Sequence, residues 1–214
     1  MDFYPIFVSV KGKKCIVLGG GDVGQRKVIT LTEAGADVTV ISPALTPVLE
    51  LLRAEGKINH IPRLYKEGDL TEAFLVIAAT DDISLNNRLC ENFNGLINVA
   101  GGDKEYGNFI VPSTVNRGAL TFAISTQGIS PALAKTVKEE VQTLYSEDFA
   151  AYLEFLKEFR HKTLTTVSDS ALRRQLLSSA GGKDCVDKIR AGCIEELKEQ
   201  LCGILSLHGS GSHE

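Results

Sequence analysis

An open, parallel α/β sheet, followed by a small α+β segment and a helical C-terminal domain, is the fold this sequence predicts. Three observations predict it. Short apolar runs alternate with helical patterns from Cys15 to Val99, as strand–helix–strand units do. A glycine-rich turn joins the first run to the first helix. Beyond residue 100 the alternation stops, and two runs joined by a turn signal give way to helical periodicity alone.

Cys15 to Leu18 is the first strand, and it drops straight into Gly19-Gly20-Gly21-Asp22-Val23-Gly24. Apolar residues at Val23, Val28, Ile29, Leu31 and Ala34 then keep helical spacing as far as Gly35, which stands at a C-terminal cap position. This is G-x-G-x-x-G between a strand and a helix, the context in which it marks a Rossmann-type dinucleotide site. Gly19 permits the turn, Gly21 lets backbone approach a pyrophosphate, and Gly24 lets the helix lie close on the strand. The helix N-terminus adds free N–H groups and a positive dipole end. A tight turn with no ligand is the plain alternative.

The remaining elements follow in order. Asp37 to Ile41 is a second strand; Thr46 and Pro47 take the N-cap and N1 positions of a helix reaching Glu55, with Gly56 as its stop. Lys57 to Pro62 reads as a third strand and Leu70 to Phe74 as a short helical piece. Leu75 to Ala79 is a continuous apolar run, as a strand covered on both faces would be. Asp81 or Asp82 caps a helix through Phe93, and Leu96 to Val99 is the fifth strand. Asn108 to Ser113 and Leu120 to Ser125 read as two strands joined at Asn116-Arg117-Gly118. Ser130-Pro131 opens a helix through Tyr145. From Asp148 onward the pattern is helical, with breaks near Thr165 to Ser168 and at Gly181-Gly182. The hairpin and its helix cannot bury both faces alone, which points to a partner subunit.

Composition excludes several classes. With 214 residues, 43% of them hydrophobic, the chain can build one good core and a smaller appendage. A formal net charge of −4 argues against nucleic acid as a partner. No apolar run approaches the ~20 residues that span a bilayer, so no membrane association is expected. The acid at position 2 and Pro5 within the apolar start argue against a signal peptide, which makes the cytoplasm the expected location. Five widely spaced cysteines without C-x-x-C read as reduced thiols, and the four histidines show no metal-ligand spacing, so no metal site is expected.

The candidate chemistry collects at the carboxyl edge of the sheet. A dinucleotide unit usually carries an acid at the end of its second strand, bonding the ribose hydroxyls. Here Ser42-Pro43 occupies that position. Ser42 still offers a hydrogen bond, with weaker discrimination against a 2′-phosphate, and NAD is the expected cofactor. Ala79, Thr80 and Asp81 follow the fourth strand, where small residues let a dinucleotide lie against backbone. Asp103 follows the fifth, where a carboxylate can act as a base; turn chemistry is its plain alternative. Ser125 to Ser130, with Thr126 and Gln127, leads into a helix N-terminus and suits a carboxylate-bearing ligand. N-capping by Ser130 is the plain reading of the same loop.

Several stretches together resemble one family: DFYPIFVSVKGKKCIVLGGGDVGQRK, VTVISP, VIAATDDISLN, INVAGGDKEYGNFIVPS and ISTQGISPALAK. They look like the precorrin-2 dehydrogenases, including the N-terminal module of siroheme synthases, over residues 2–145. The resemblance implies NAD-dependent oxidation of precorrin-2, a tetrapyrrole, to sirohydrochlorin in siroheme biosynthesis. In some members it also implies insertion of ferrous iron. It implies dinucleotide contacts at Gly19 to Val23 (Gly21 and Asp22 among them), Ser42, Pro43 and Ala79 to Asp81. Substrate would lie against Asn108, Ser113 and the Thr126 to Ser130 loop. It implies a homodimer whose hairpin–helix segments interlock. The expected division is a dinucleotide-binding domain over 1–112, a dimerisation segment over 113–147, a helical domain over 148–207 and a flexible tail over 208–214. One departure stands out: the family pattern N-V-x-D would place an aspartate at Gly101, and Asp103 stands two residues later. That departure keeps a chelatase without dehydrogenation open as a competitor; a non-enzymatic dinucleotide-sensing module is a second, separate one.

Overall fold

The structure is a computed structural model that describes residues 3–100 and 107–209. The chain divides into two compact units, Met1–Val111 and Pro112–Glu214.

In the first unit, β1 (Lys14–Leu18) is the central strand of a five-stranded parallel sheet with β2 (Asp37–Ile41), β3 (Asn59–Ile61), β4 (Leu75–Ala78) and β5 (Leu96–Val99). The order is β3-β2-β1-β4-β5, so the direction of winding reverses between β1 and β4. Strand pleating sends alternate residues to opposite faces. Cys15 and Val17 pack on one face with Val28 and Leu31 of α1 (Asp22–Glu33) and Leu49 of α2 (Pro47–Ala54). Ile16 and Leu18 pack on the other with Leu85 and Leu89 of α3 (Ile83–Asn92). Covered on both sides, β1 and β4 need the continuous apolar character that their sequences show. Burial, then the nearby Asp37 carboxylate, push the Cys15 thiol up to about 11, which keeps it protonated and inert at neutral pH.

Two local expectations give way here. Residues 66–73 form successive turns rather than a short helix: Gly68 and Glu72 take positive φ (93° and 62°), which a right-handed helix cannot hold. The first strand of the hairpin begins at Ser113 rather than Asn108. Residues 107–111 instead run along the edge of β5, where Gly107 bridges Asn98 and the Asn108 carboxamide takes the place of backbone. Asn108 accepts from the Ile97 N–H at 2.9 Å and donates to the Gly95 carbonyl at 2.7 Å. Phe109 and Val111 cover the α1 face of the sheet.

The second unit opens with the antiparallel hairpin β6 (Ser113–Arg117) and β7 (Leu120–Ile124). Its two-residue turn is Gly118-Ala119, with Gly118 at φ 61° as a primed turn requires; Asn116 and Arg117, expected in the turn, instead pair in the ladder with Thr121 and Leu120. Helix α4 (Pro131–Leu144) packs against the hairpin, with Ser130 as its N-cap. Then come α5 (Asp148–Thr166), α6 (Ser170–Ser179), α7 (Lys183–Arg190) and α8 (Ile194–Gly209). The α7–α8 break at Gly192, φ 77°, is a further boundary that the sequence pattern did not reveal. The helix that ends the described chain includes His208 and Gly209; the rest of the expected tail, 210–214, lies outside the described residues. Phe149, Tyr152, Phe159, Leu176, Ile189 and Leu197 form the core of this helical region. The rings of Phe122, Tyr145 and Phe149 link hairpin to helices at centroid separations of 4.6 and 5.0 Å.

Arg117 ties these elements together. It donates to the carbonyls of Tyr145 (2.6 Å), Asn116 (2.8 Å) and Gln142 (3.3 Å), satisfying the C-terminal end of α4, and pairs with Glu147 at 3.0 Å. Replacing Arg117 with Leu leaves those carbonyls without their donor and is expected to cost about 2–3 kcal/mol in urea unfolding followed by circular dichroism.

Candidate dinucleotide site

The glycine loop fixes the geometry of the site. At Gly19 the chain leaves β1 with φ 110°, its N–H donating to the Ile41 carbonyl at 3.0 Å. A Cβ at Gly19 would overlap the Ala79 carbonyl oxygen, and one at Gly24 would overlap the Gly19 carbonyl oxygen. The loop is therefore clamped between the turn after β4 and the first turn of α1. Gly21 differs. It is exposed and extended, nothing lies within 4 Å of where its Cβ would be, and no side chain caps α1 there. The first N–H groups of α1 thus face open space with the positive end of the helix dipole behind them. In the second turn of α1, burial followed by proximity to Arg26 lowers the Lys27 pKa.

Beside this loop, at the winding reversal between β1 and β4, lies a cleft of about 300 Å³. Val23, Ala79, Thr80, Asp81, Ile83 and Asn86 are among its walls, with Val99 and Ala100 at the end of β5. This is where open α/β sheets bind ligands. Of the residues expected to hold a dinucleotide, Val23, Ala79, Thr80 and Asp81 line the cleft, and Gly19, Gly21 and Asp22 form the adjoining loop. Ser42 and Pro43 stand at the end of β2. Ser42 is buried and its hydroxyl donates to the Ala44 carbonyl at 2.6 Å, while His60 Nε2 donates to the Ser42 carbonyl at 2.9 Å. Pro43 is exposed.

Asn86 was not singled out in the sequence. It is buried, lines the cleft and locks the turn after β4: Thr80 Oγ1 donates to Asn86 Oδ1 at 2.7 Å and Asn86 Nδ2 donates back to the Thr80 carbonyl at 3.0 Å. Asp82 completes the turn as N-cap of α3, accepting from the Leu85 N–H at 2.9 Å. A polar residue between Leu85 and Leu89 on the inward flank of a helix was the available signal. Asp103, the candidate base, lies outside the described residues.

In the second unit, Ser113 stands opposite Ile124 at the open end of the hairpin, which puts it beside the loop that follows. That loop is held internally: Thr126 Oγ1 donates to the Ser130 carbonyl at 3.0 Å and accepts the Ser130 N–H at 3.2 Å. Ser125 Oγ accepts the Gln127 N–H at 3.0 Å with Gln127 at φ 53°, and Ser130 caps α4 through the Leu133 N–H.

Residues 6–113 match the family model NAD_binding_7, described as "Putative NAD(P)-binding". The chain belongs to this family. Among curated proteins it is 38% identical to the siroheme synthase of Thioalkalivibrio sulfidiphilus over 82% of this chain and 36% of that protein. It is 34% identical to that of Methylobacillus flagellatus over 100% and 46% respectively. The chain thus spans less than half the length of these relatives. Among solved structures it resembles SirC, a precorrin-2 dehydrogenase, with a TM-score of 0.79 and 27% identity, covering 94% of this chain and 100% of that one. These likenesses bear out the family and the Rossmann-type fold read from the motifs, and with them the expectation of a nicotinamide dinucleotide. The open first turn of α1, the cleft beside it and the small residue Ala79 in its wall fit such a cofactor.

Two substitutions separate folding from binding. Gly24→Ala is expected to cost about 1–3 kcal/mol, because the Gly19 carbonyl cannot retreat without moving β1. Gly21→Ala should change stability by less than about 1 kcal/mol, since nothing lies within 4 Å of the added Cβ, and yet weaken NADH at least ~10-fold if a pyrophosphate approaches that position. Thermal melts and NADH fluorescence titrations on both variants check this.

Proposed function

We propose that this chain oxidises precorrin-2 to sirohydrochlorin with NAD, in siroheme biosynthesis. The observation that carries the reading is the likeness to SirC over nearly the whole of both chains, together with a cleft at the winding reversal of the sheet. Gly19, Gly21, Asp22 and Val23 would hold the pyrophosphate on α1, Ser42 and Pro43 the ribose edge, and Ala79, Thr80 and Asp81 the far side of the cleft. NAD, when bound, supplies the hydride acceptor. Two hydrogens leave the substrate, one as hydride and one as a proton, and the Asp103 carboxylate accepts the proton. Asn108, Ser113, Thr126, Gln127 and Ser130 would meet the substrate, with the hydroxyls, the amide and the N-terminus of α4 suited to its carboxylates. The Asn108 carboxamide is also engaged in holding the edge of β5, so it would act chiefly by shaping the site.

The enzyme would act as a cytoplasmic homodimer. Ile129 just before α4, Leu133 in its first turn and Leu144 at its end are exposed by 87%, 56% and 51%, large apolar side chains on the element that packs on the hairpin. Changing both Leu133 and Leu144 to Glu should convert a dimer to a monomer in light scattering coupled to gel filtration.

A second reading, ferrous chelation of sirohydrochlorin without dehydrogenation, is favoured by Gly101 at the family's aspartate position. Precorrin-2 incubated with NAD and protein separates the two: sirohydrochlorin absorbance is expected, and its absence, with siroheme formed once sirohydrochlorin and ferrous iron are supplied, favours chelation. Asp103→Asn should lower the dehydrogenation rate by about 10²–10⁴-fold if its carboxylate is the base. Full activity in that variant removes Asp103 from the mechanism.

A further inference from the structure

The ribose edge of the site has neither of the usual devices for telling a 2′-hydroxyl from a 2′-phosphate. The turn after β2, Ser42 to Thr46, carries no acid and no cation, and the Ser42 hydroxyl proton is committed to the Ala44 carbonyl at 2.6 Å. Beside β2 lies β3, and Arg63 follows its end. Arg63 and Ser42 are neighbours through backbone: the Ile61 carbonyl accepts the N–H of Ser42 at 3.2 Å and that of Arg63 at 2.9 Å.

The guanidinium of Arg63 is closed off. Nη1 and Nη2 each donate to a different carboxylate oxygen of Asp69, both at 2.7 Å, and Nη1 also donates to the Leu64 carbonyl at 3.0 Å. Asp69 is itself fixed, its Oδ2 accepting the Lys66 N–H at 2.7 Å and its side chain only 11% exposed. The hydrogen bonds from Arg63 hold the Asp69 carboxyl below the usual carboxylate range, so the pair stays charged and closed at neutral pH. A guanidinium fork is the geometry that grips phosphate; here an internal carboxylate fills it.

We propose that the Arg63–Asp69 pair makes the site selective for NAD over NADP, with Asp69 standing where a 2′-phosphate would otherwise bind Arg63. A 2′-phosphate reaching this edge must displace a paired carboxylate or remain beside it unpaired; a 2′-hydroxyl does neither. The inference rests on the dinucleotide reading of the cleft.

Titrating the full chain with NADH and NADPH, read by nicotinamide fluorescence, tests it without turnover. Wild type should bind NADH at least ~10-fold more tightly than NADPH. Asp69→Asn should tighten NADPH ~10-fold while NADH moves less than ~3-fold, as expected for a freed charge-assisted fork. Arg63→Gln should not tighten NADPH in the wild-type background, because it leaves the Asp69 carboxylate unpaired there, and should abolish the gain in Asp69→Asn. An unchanged ratio in folded Asp69→Asn overturns the inference. Asp69→Ser, which keeps a hydroxyl acceptor for the Lys66 N–H, decides the matter by the same two outcomes if Asp69→Asn does not fold. Wild type that binds neither nucleotide overturns the dinucleotide reading itself.

Discussion

The close approach of α1 to the end of β1 is the constraint on which the rest of the first unit depends. At Gly24 the helix touches the Gly19 carbonyl, and at Gly19 the chain touches the Ala79 carbonyl, so three backbone segments meet without any side chain between them. A methyl group at either glycine would push α1 off the sheet or open the sheet between β1 and β4. Neither can give easily, because Val17, Val28 and Ile77 are sealed in one core beneath them. The same contact leaves the Gly21 turn facing outward with the helix N-terminus exposed. Packing inside and an uncapped helix N-terminus outside are two consequences of one backbone arrangement.

Around that arrangement, asparagines do the fine positioning. Asn86 locks the turn after β4 through paired bonds with Thr80, and Asn98 donates to the Phe109 carbonyl at 2.9 Å while Asn108 satisfies the edge of β5. A carboxamide carries donor and acceptor together, so it can replace a missing strand neighbour where a hydroxyl or carboxylate would satisfy only half of the need. These residues stiffen the two chain segments, after β4 and after β5, that wall the cleft.

The first unit was largely legible because its signals are local. Continuous apolar strands, N-caps at Thr46 and Asp82, and glycine stops at Gly35 and Gly56 each carry their own physical reason within a few residues, as does the Ser130 cap in the second unit. Legibility failed where a residue's neighbours are distant in sequence. Asn108 to Pro112 has the composition of a strand, yet Asn108 bonds across to Gly95 and Ile97, which leaves no ladder to form. The Leu70 to Phe74 stretch has helical spacing, and the positive φ of Glu72 within it cancels that spacing.

By itself the sequence determined the sheet and its glycine loop, because strand periodicity and the G-x-G-x-x-G spacing depend on residues adjacent in the chain. Only the tertiary structure decided what surrounds the ligand's place. It turned the Ser42 hydroxyl inward to Ala44, put Asn86 against Thr80, and filled the Arg63 fork with Asp69. Whether a polar group is engaged inside the protein or left for a ligand depends on hydrogen-bond partners that the fold supplies, and a linear pattern does not contain them.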